Sequence, residues 1–530
     1  MRDGVRLATH HFWPIDGTGS LPSVLIRSPY GTRGGRSMMG AVARLIAESG
    51  YHVVVQDVRG RYASEGEFVP FVNERRDGAD TMAWLVDQEW CEGAVGLFGA
   101  SYLAYTAWCI ATETPAEIGA ISSLIGSGDL HGLFYPGGAF ALSVALEWSL
   151  GVGEHETIPA RRIDLERGLR HLPVREADRV GLRTIDWYRE WVDHPRNDDY
   201  WQSIEAAIPE SPPPTLMIAG WYDFYLPLQL ADFATLREAA HESEGVTPRL
   251  IVGPWSHGLS ARLGWWFHGM AGIALRETLA HFDRHLKGHD EASAQPTVRY
   301  FLAGKDRWME AAHWPPTETT PRSLYLSADG CLDWSPPKLA CGERSYRYDP
   351  ASPTPTRGGA LFGLKSGIKD QRDRVRRKDL LVYESAPLER PLVLTGDVLL
   401  HLSMRSDAQD VDLAAKLIDV HPNGRSENVC DSLLRGRWAD LPAETLKPHF
   451  TPPGEVRDWT LRLGAVGRTL HEGHRIRLEI ASANFPRLDR NPGVRIAPGE
   501  APPDALRASE QTVLHGGETA SRLVLPVLAT

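Results

Sequence analysis

The first part of the chain alternates between short, uninterrupted apolar runs and longer stretches with helical periodicity. Residues 23–28, 51–56 and the run Val95, Leu97, Phe98 read as strands. Helices are predicted over 41–48, closed by Gly50, over 77–90, and from Tyr102 through Ala111. A further apolar run over 121–128 reads as a strand. Strands that are apolar throughout and separated by helices predict a parallel sheet covered on both faces. The pattern resumes with strands over 215–220 and 249–253, flanking a helix over about 228–240.

Between these two stretches the character changes. Residues 129–214 carry Gly-rich turns, amphipathic segments and Trp148, Trp187, Trp191 and Trp201, and end in Pro212-Pro213-Pro214. This predicts a helical cap inserted into the α/β core. Beyond about residue 290 short alternating segments take over, such as 298–302, 392–394, 398–402 and 475–480, punctuated by Gly, Pro and Asp, which predicts an all-β sandwich. The expected organisation is an α/β core over 1–128 and 215–290, a helical cap over 129–214 and a C-terminal β-sandwich over 291–530. A length of 530 residues suits about three domains of about 150 residues each.

Composition changes this picture little. Hydrophobic content of 42% and charged content of 24% are those of a soluble globular protein. A net charge of −11, with no basic run, argues against a nucleic-acid surface. The five cysteines, Cys91, Cys109, Cys331, Cys341 and Cys430, are scattered and odd in number, which fits reduced thiols. No Cys or His pair frames Cys331 and Cys341 as a zinc site, and neither a metal nor a cofactor is expected. The N-terminus lacks the apolar core of a signal peptide and no run is long enough to span a bilayer, so a cytoplasmic location without membrane contact is expected.

The chemistry concentrates at Gly99-Ala100-Ser101-Tyr102. Ser101 falls between a predicted strand and a predicted helix, where a sharp turn lifts a serine Oγ above the sheet edge and small neighbours keep clear of it. The helix N-terminus offers free N–H groups to a developing oxyanion. The strict Gly-x-Ser-x-Gly signature is not met, because Leu103 occupies its last position. Partners lie elsewhere. Asp223, in Gly220-Trp221-Tyr222-Asp223, and His257, in Gly253-Pro254-Trp255-Ser256-His257, each follow a predicted strand, and ligands of parallel sheets bind beyond the strands' carboxyl ends. The chain order Ser, Asp, His is that of an α/β-hydrolase triad. Asp57 also follows a strand without any claim to catalysis, so the weight rests on the set.

These residues resemble the X-Pro dipeptidyl-peptidase (S15-type) and CocE/NonD acyl hydrolase family. The likeness spans nearly the whole chain: Arg2-Asp3-Gly4-Val5, Arg27-Ser28-Pro29-Tyr30, Gln56-Asp57-Val58-Arg59-Gly60-Arg61 with Ser64-Glu65-Gly66, the Ser101 turn, the Asp223 and His257 segments, and Phe282-Asp283-Arg284-His285-Leu286-Lys287-Gly288. It implies an α/β-hydrolase core with a helical cap and a C-terminal jelly roll. It also implies Ser101 as nucleophile, His257 as general base, Asp223 as its orienter, and an oxyanion hole from the Tyr30 hydroxyl and the Tyr102 backbone N–H. The family usually carries glycine where this chain has Ala104. Trp148 and Tyr225 are expected to line the acyl pocket. Glu147, Glu154, Glu156, Asp198 and Asp199 are available to hold an α-ammonium group. The expected activity is hydrolysis of small aromatic or amino-acyl esters through an acyl-enzyme. The alternatives are an X-Pro dipeptidyl aminopeptidase or amide-cleaving acylase and, more remotely, a non-catalytic binding protein.

Overall fold

The structure, a computed structural model, describes residues 1–15, 19–31, 38–153, 164–181, 183–260, 269–289, 295–336, 342–516 and 521–529. They form two compact units: Met1–Leu130 with Asp199–Tyr300 and Glu310–Ala312, and His131–Asp198 with Phe301–Met309 and His313–Thr530.

The chain enters through β1 (Thr9–Phe12) and β2 (Ser23–Ser28), then alternates α1 (Met38–Glu48), β3 (His52–Asp57), α2 (Glu74–Val86), β4 (Val95–Ala100), α3 (Tyr102–Glu113) and β5 (Ile118–Leu124). Among the described residues the α-helices α4 (Leu130–Phe134), α5 (Leu142–Gly153), α6 (Leu165–Arg170), α7 (Asp186–Asp193) and α8 (Asp199–Ile204) follow before the next strand. The α/β alternation then resumes with β6 (Thr215–Tyr222), α9 (Leu226–Glu242), β7 (Arg249–Ser256), the two-residue β8 (Leu259–Ser260), α10 (Met270–Leu286), β9 (Val298–Leu302) and β10 (Arg307–Ala311). Among the described residues the sheet order is β1-β3-β2-β4-β5-β6-β7-β9-β10, with β8 paired to β7. Pairing is parallel from β3 through β2, β4, β5 and β6 to β7, and β1 adds antiparallel to β3. Every residue of β2 and β3 is buried, which is why these strands read as continuous apolar runs.

The remaining strands are β11 (Thr319–Leu326), β12 (Cys331–Asp333), β13 (Gly342–Tyr348), β14 (Leu381–Ser385), β15 (Leu392–Ser406), β16 (Asp412–Val420), β17 (Ser426–Arg435), β18 (Val456–Leu470), β19 (Arg475–Ala481), β20 (Ser509–His515) and β21 (Arg522–Leu528). They make the jelly-roll domain, in the order β13-β20-β15-β21-β11-β12-β14-β19-β16-β17, with β18 on β15. Their inward side chains, among them Leu400, Leu417, Leu478, Val513 and Leu523, form one apolar core.

Several element ends differ from the sequence reading, each for a tertiary reason. The helix expected over 77–90 begins a turn earlier, at Glu74, because Glu74 and Asp77 are ion-paired to Arg27 at 2.8 Å and Arg59 at 2.6 Å. The strand expected over 121–128 ends at Leu124, since Ile125 turns to a positive φ of 38°. The segments 392–394 and 398–402 are one strand, β15, whose pairing with β18 continues through a bulge between Val398 and Leu399.

The second unit contains a buried charge cluster. Arg435 lies 3.0 Å from both Asp412 and Asp489, Arg437 donates to Asp410 at 2.7 Å, and Asn491 donates to Asp410 and Asp412 at 2.8 and 2.7 Å. Removing one partner leaves buried charge without compensation. Arg435→Met is expected to lower unfolding free energy by about 3–5 kcal/mol, read from denaturant titration.

Candidate active site

Ser101 sits between β4 and α3 with φ 59° and ψ −124°, a conformation that non-glycine residues rarely adopt. Its N–H donates to the Leu124 carbonyl at 2.9 Å, which ties the turn to the end of β5, and its own carbonyl accepts from Ala104 N–H at 2.9 Å. Two glycines make room. A Cβ on Gly99 would lie 2.1 Å from the Leu103 carbonyl oxygen, and one on Gly126 would lie 2.5 Å from the Ala104 methyl and 2.7 Å from the Ser101 carbonyl oxygen. The Ala104 methyl is thus accommodated by the bare backbone of Gly126.

Both β6 and β7 run further than their apolar stretches suggest, to Tyr222 and Ser256, so Asp223 and His257 each follow directly on a strand. Asp223 is 3% exposed, and its Oδ1 accepts from the Tyr225 N–H at 2.8 Å. Its Oδ2 lies 2.9 Å from His257 Nδ1, and His257 Nε2 lies 3.0 Å from Ser101 Oγ. With the proton on Nδ1, the neutral imidazole donates to the carboxylate and accepts from the serine hydroxyl. Phe224 stacks on the imidazole, with ring centroids 4.4 Å apart and planes 20° apart. No sequence signal marked Phe224, because its role arises from the ring it faces.

Tyr225 is buried, its ring centroid 6.0 Å from that of His257. Burial pushes the Tyr225 hydroxyl's pKa up, and the Asp223 carboxylate pushes it the same way. Tyr30, 40% exposed, follows β2; its N–H donates to Ser28 Oγ at 3.1 Å, and Arg61 Nε donates to the adjacent Pro29 carbonyl at 2.9 Å. The residues that follow Gly31, up to residue 37, lie outside the described residues. Tyr102 is buried at the start of α3, and its hydroxyl donates to Glu74 Oε1 at 2.9 Å.

Of the other expected site residues, Trp148, Glu147 and Asp198 belong to the second unit and Asp199 to the first. Trp148, on α5, tilts against Trp191 with centroids 5.8 Å apart. Glu147, beside it, lines a cavity of about 850 Å³ with Leu165, Leu169, Leu361 and Phe362. Burial pushes its carboxyl up to about 7, Lys365 opposes this and Glu166 adds to it. Asp198 is taken up by His194 Nδ1 at 2.6 Å, and Asp199 opens α8. Glu154 and Glu156 lie outside the described residues, as does Cys341.

Among the described residues Asp419, His421 and His474 come together as a metal-binding group would. The Asp419 oxygens already accept from Arg468 and His474, each at 2.6 Å, and Arg468 also donates to Glu427 at 2.6 Å. Arg468 thus already balances the negative charge of Asp419 and Glu427 in this cluster. No described helix is long and apolar enough to cross a membrane.

A parallel α/β sheet with a serine, a histidine and an aspartate joined in this order beyond its strand ends defines the protein as a serine hydrolase of the α/β-hydrolase class. Residues 3–259 match the X-Pro dipeptidyl-peptidase (S15 family), and residues 291–524 match the X-Pro dipeptidyl-peptidase C-terminal non-catalytic domain. A cocaine esterase of Rhodococcus sp. (strain MB1 Bresler) is 34% identical over 568 residues, covering 100% of this chain and 97% of that protein. The chain belongs to this S15 and CocE/NonD family of serine hydrolases. Solved structures agree in fold. An aminopeptidase from a marine sediment Thaumarchaeota archaeon superposes with a TM-score of 0.85 at 25% identity, over 100% of this chain and 95% of that one. An α-amino acid ester hydrolase gives 0.84 at 24% identity, over 99% and 95%.

Two outcomes follow from this geometry. Gly99→Ala drives a methyl group into the first turn of α3 and is expected to cost about 1–3 kcal/mol of stability, with activity lost in parallel, read by denaturant titration and ester turnover. Glu147 holds its proton more tightly folded than unfolded, so stability falls as pH rises from the ordinary carboxyl range to about 7 and stays lower above it. Glu147→Gln should therefore match wild type near pH 4.5 and exceed it by on the order of 1–2 kcal/mol above pH 7, allowing for partial exposure, as followed by thermal melts across pH.

Proposed function

We propose that the protein cleaves small carboxylic esters, aromatic or amino-acyl in their acyl part, through an acyl-enzyme formed on Ser101. Ser101 Oγ attacks the ester carbonyl carbon while His257 Nε2 takes its proton. Asp223 holds the imidazole in the tautomer that can accept that proton and stabilises the imidazolium that results. The tetrahedral oxyanion accepts hydrogen bonds from the Tyr30 hydroxyl and the Tyr102 backbone N–H. Collapse breaks the bond to the leaving alcohol, which takes the proton from His257. Water then attacks the acyl-enzyme by the same route, with His257 as base, releasing the acid and returning Ser101.

The observation that carries this reading is the unbroken pair of contacts from Asp223 to His257 at 2.9 Å and from His257 to Ser101 at 3.0 Å. The full-length likeness to a protein described as a cocaine esterase supports ester rather than amide chemistry. Support for Tyr30 comes from its place just past β2, which pairs parallel with β4, so that Tyr30 and Ser101 stand at the same edge of the sheet.

The test is steady-state hydrolysis of a neutral aryl ester, an α-amino aryl ester and an X-Pro anilide. Ser101→Ala is expected to lower kcat by on the order of 10⁴ or more on the esters. Tyr30→Phe is expected to lower kcat by about a hundredfold while the thermal melt stays in place. Turnover of the anilide well above both esters would move the assignment to the peptidase reading, and full activity in Ser101→Ala would end the hydrolytic mechanism altogether.

A further inference from the structure

Tyr102 is held at two ends. Its backbone N–H opens α3 beside Ser101, while its hydroxyl reaches inward to a polar cluster that the proposed chemistry does not use. That hydroxyl donates to Glu74 Oε1 at 2.9 Å and accepts from the Phe71 N–H at 3.0 Å. Glu74 Oε2 lies 2.8 Å from Arg27 Nη1, which also donates to the Glu74 carbonyl at 3.0 Å, and Arg27 Nε donates to Gln56 at 2.9 Å. The Phe71 ring stacks on Tyr102 with centroids 4.7 Å apart, and Tyr105 donates to the Phe71 carbonyl at 3.0 Å. Phe71 keeps a positive φ of 71°, a strained conformation that lets its N–H meet the phenol.

Arg27 and Glu74 are buried together, and a buried ion pair is weak as a source of stability: an apolar pair of similar volume usually does as well or better. Such a pair can, however, specify geometry, because a directional acceptor fixes the one side chain bonded to it. Here that side chain belongs to the residue directly after the nucleophile. Resting on the reading of Ser101 and Tyr102 given above, we infer that Glu74 is a positioning residue for the oxyanion hole. It grips the Tyr102 phenol from within the core and so holds the Tyr102 backbone N–H in register with the developing oxyanion. Oxyanion donors act by preorganisation, and a shift of about 1 Å removes much of their effect.

The test compares variants by kcat per titrated active site, KM for a neutral aryl ester, and affinity for an aryl boronic acid, whose tetrahedral adduct resembles the intermediate. Tyr102→Phe is expected to lower kcat per site about tenfold, to weaken boronic acid binding in the same proportion, and to leave KM within about twofold. If Tyr102→Phe does not fold, two charge-neutral double variants isolate the same acceptor. Arg27→Met with Glu74→Gln keeps an oxygen for the phenol and should retain kcat, whereas Arg27→Met with Glu74→Leu removes it and should fall about tenfold. A lower melting temperature with kcat per site and boronic acid affinity unchanged would assign Glu74 to stability alone and overturn the inference. Ser101→Ala separates the two levels. If that variant is inactive while Tyr102→Phe behaves as wild type, only the positioning role fails; if Ser101→Ala remains active, the triad reading beneath it fails.

Discussion

The strained turn at Ser101 is the constraint on which the rest of the site depends. A serine with φ 59° and ψ −124° is held against its backbone preference, at a cost of order 1–3 kcal/mol, and the surroundings must impose it. The imposition is visible: an N–H bond to Leu124 at the end of the neighbouring strand, Gly99 pressed against the Leu103 carbonyl, and Gly126 beneath Ala104. Because β4, β5, β6 and β7 are consecutive neighbours and run parallel, their carboxyl ends share one edge. That edge brings Asp223 and His257 to Ser101 although 122 and 156 residues separate them from it in the chain (223 − 101 and 257 − 101).

Buried charge plays a consistent part in this architecture. In the first unit Arg27 meets Glu74 and Arg59 meets Asp77, so that the start of α2 is set by ion pairs as well as by helix propensity. In the second, Arg435 stands between Asp412 and Asp489, and Arg468 between Asp419 and Glu427. Arg435 and Arg468 each bridge carboxylates from separate segments. Desolvation takes back most of the Coulomb energy, and what remains is directional: a planar fork satisfied by acceptors in only one arrangement.

The catalytic candidates were legible because their chemistry needs particular residue types at particular places. A serine flanked by glycine and alanine after an apolar run, and an aspartate and a histidine after later runs, form a pattern that few other roles require. Tyr30 and Tyr102 came from the family likeness, since nothing in their spacing singles out a hydroxyl or an amide. Phe224, Arg61 and Glu74 were not legible. Each acts on an atom far away in the chain, the His257 ring, the Pro29 carbonyl and the Tyr102 hydroxyl, and no periodicity carries that information.

By itself, then, the sequence determined the parallel α/β core, the helical insertion, the β-rich C-terminal half and the order of serine, aspartate and histidine at strand ends. These are consequences of hydrophobic period and of local turn chemistry, which act over a few residues. Only the tertiary structure decided where α2 begins, where β5 stops, that β15 is one bulged strand, and which side chains brace the nucleophile. Those outcomes depend on ion pairs, ring contacts and backbone bonds between distant segments, whose energies exist only once the segments have met.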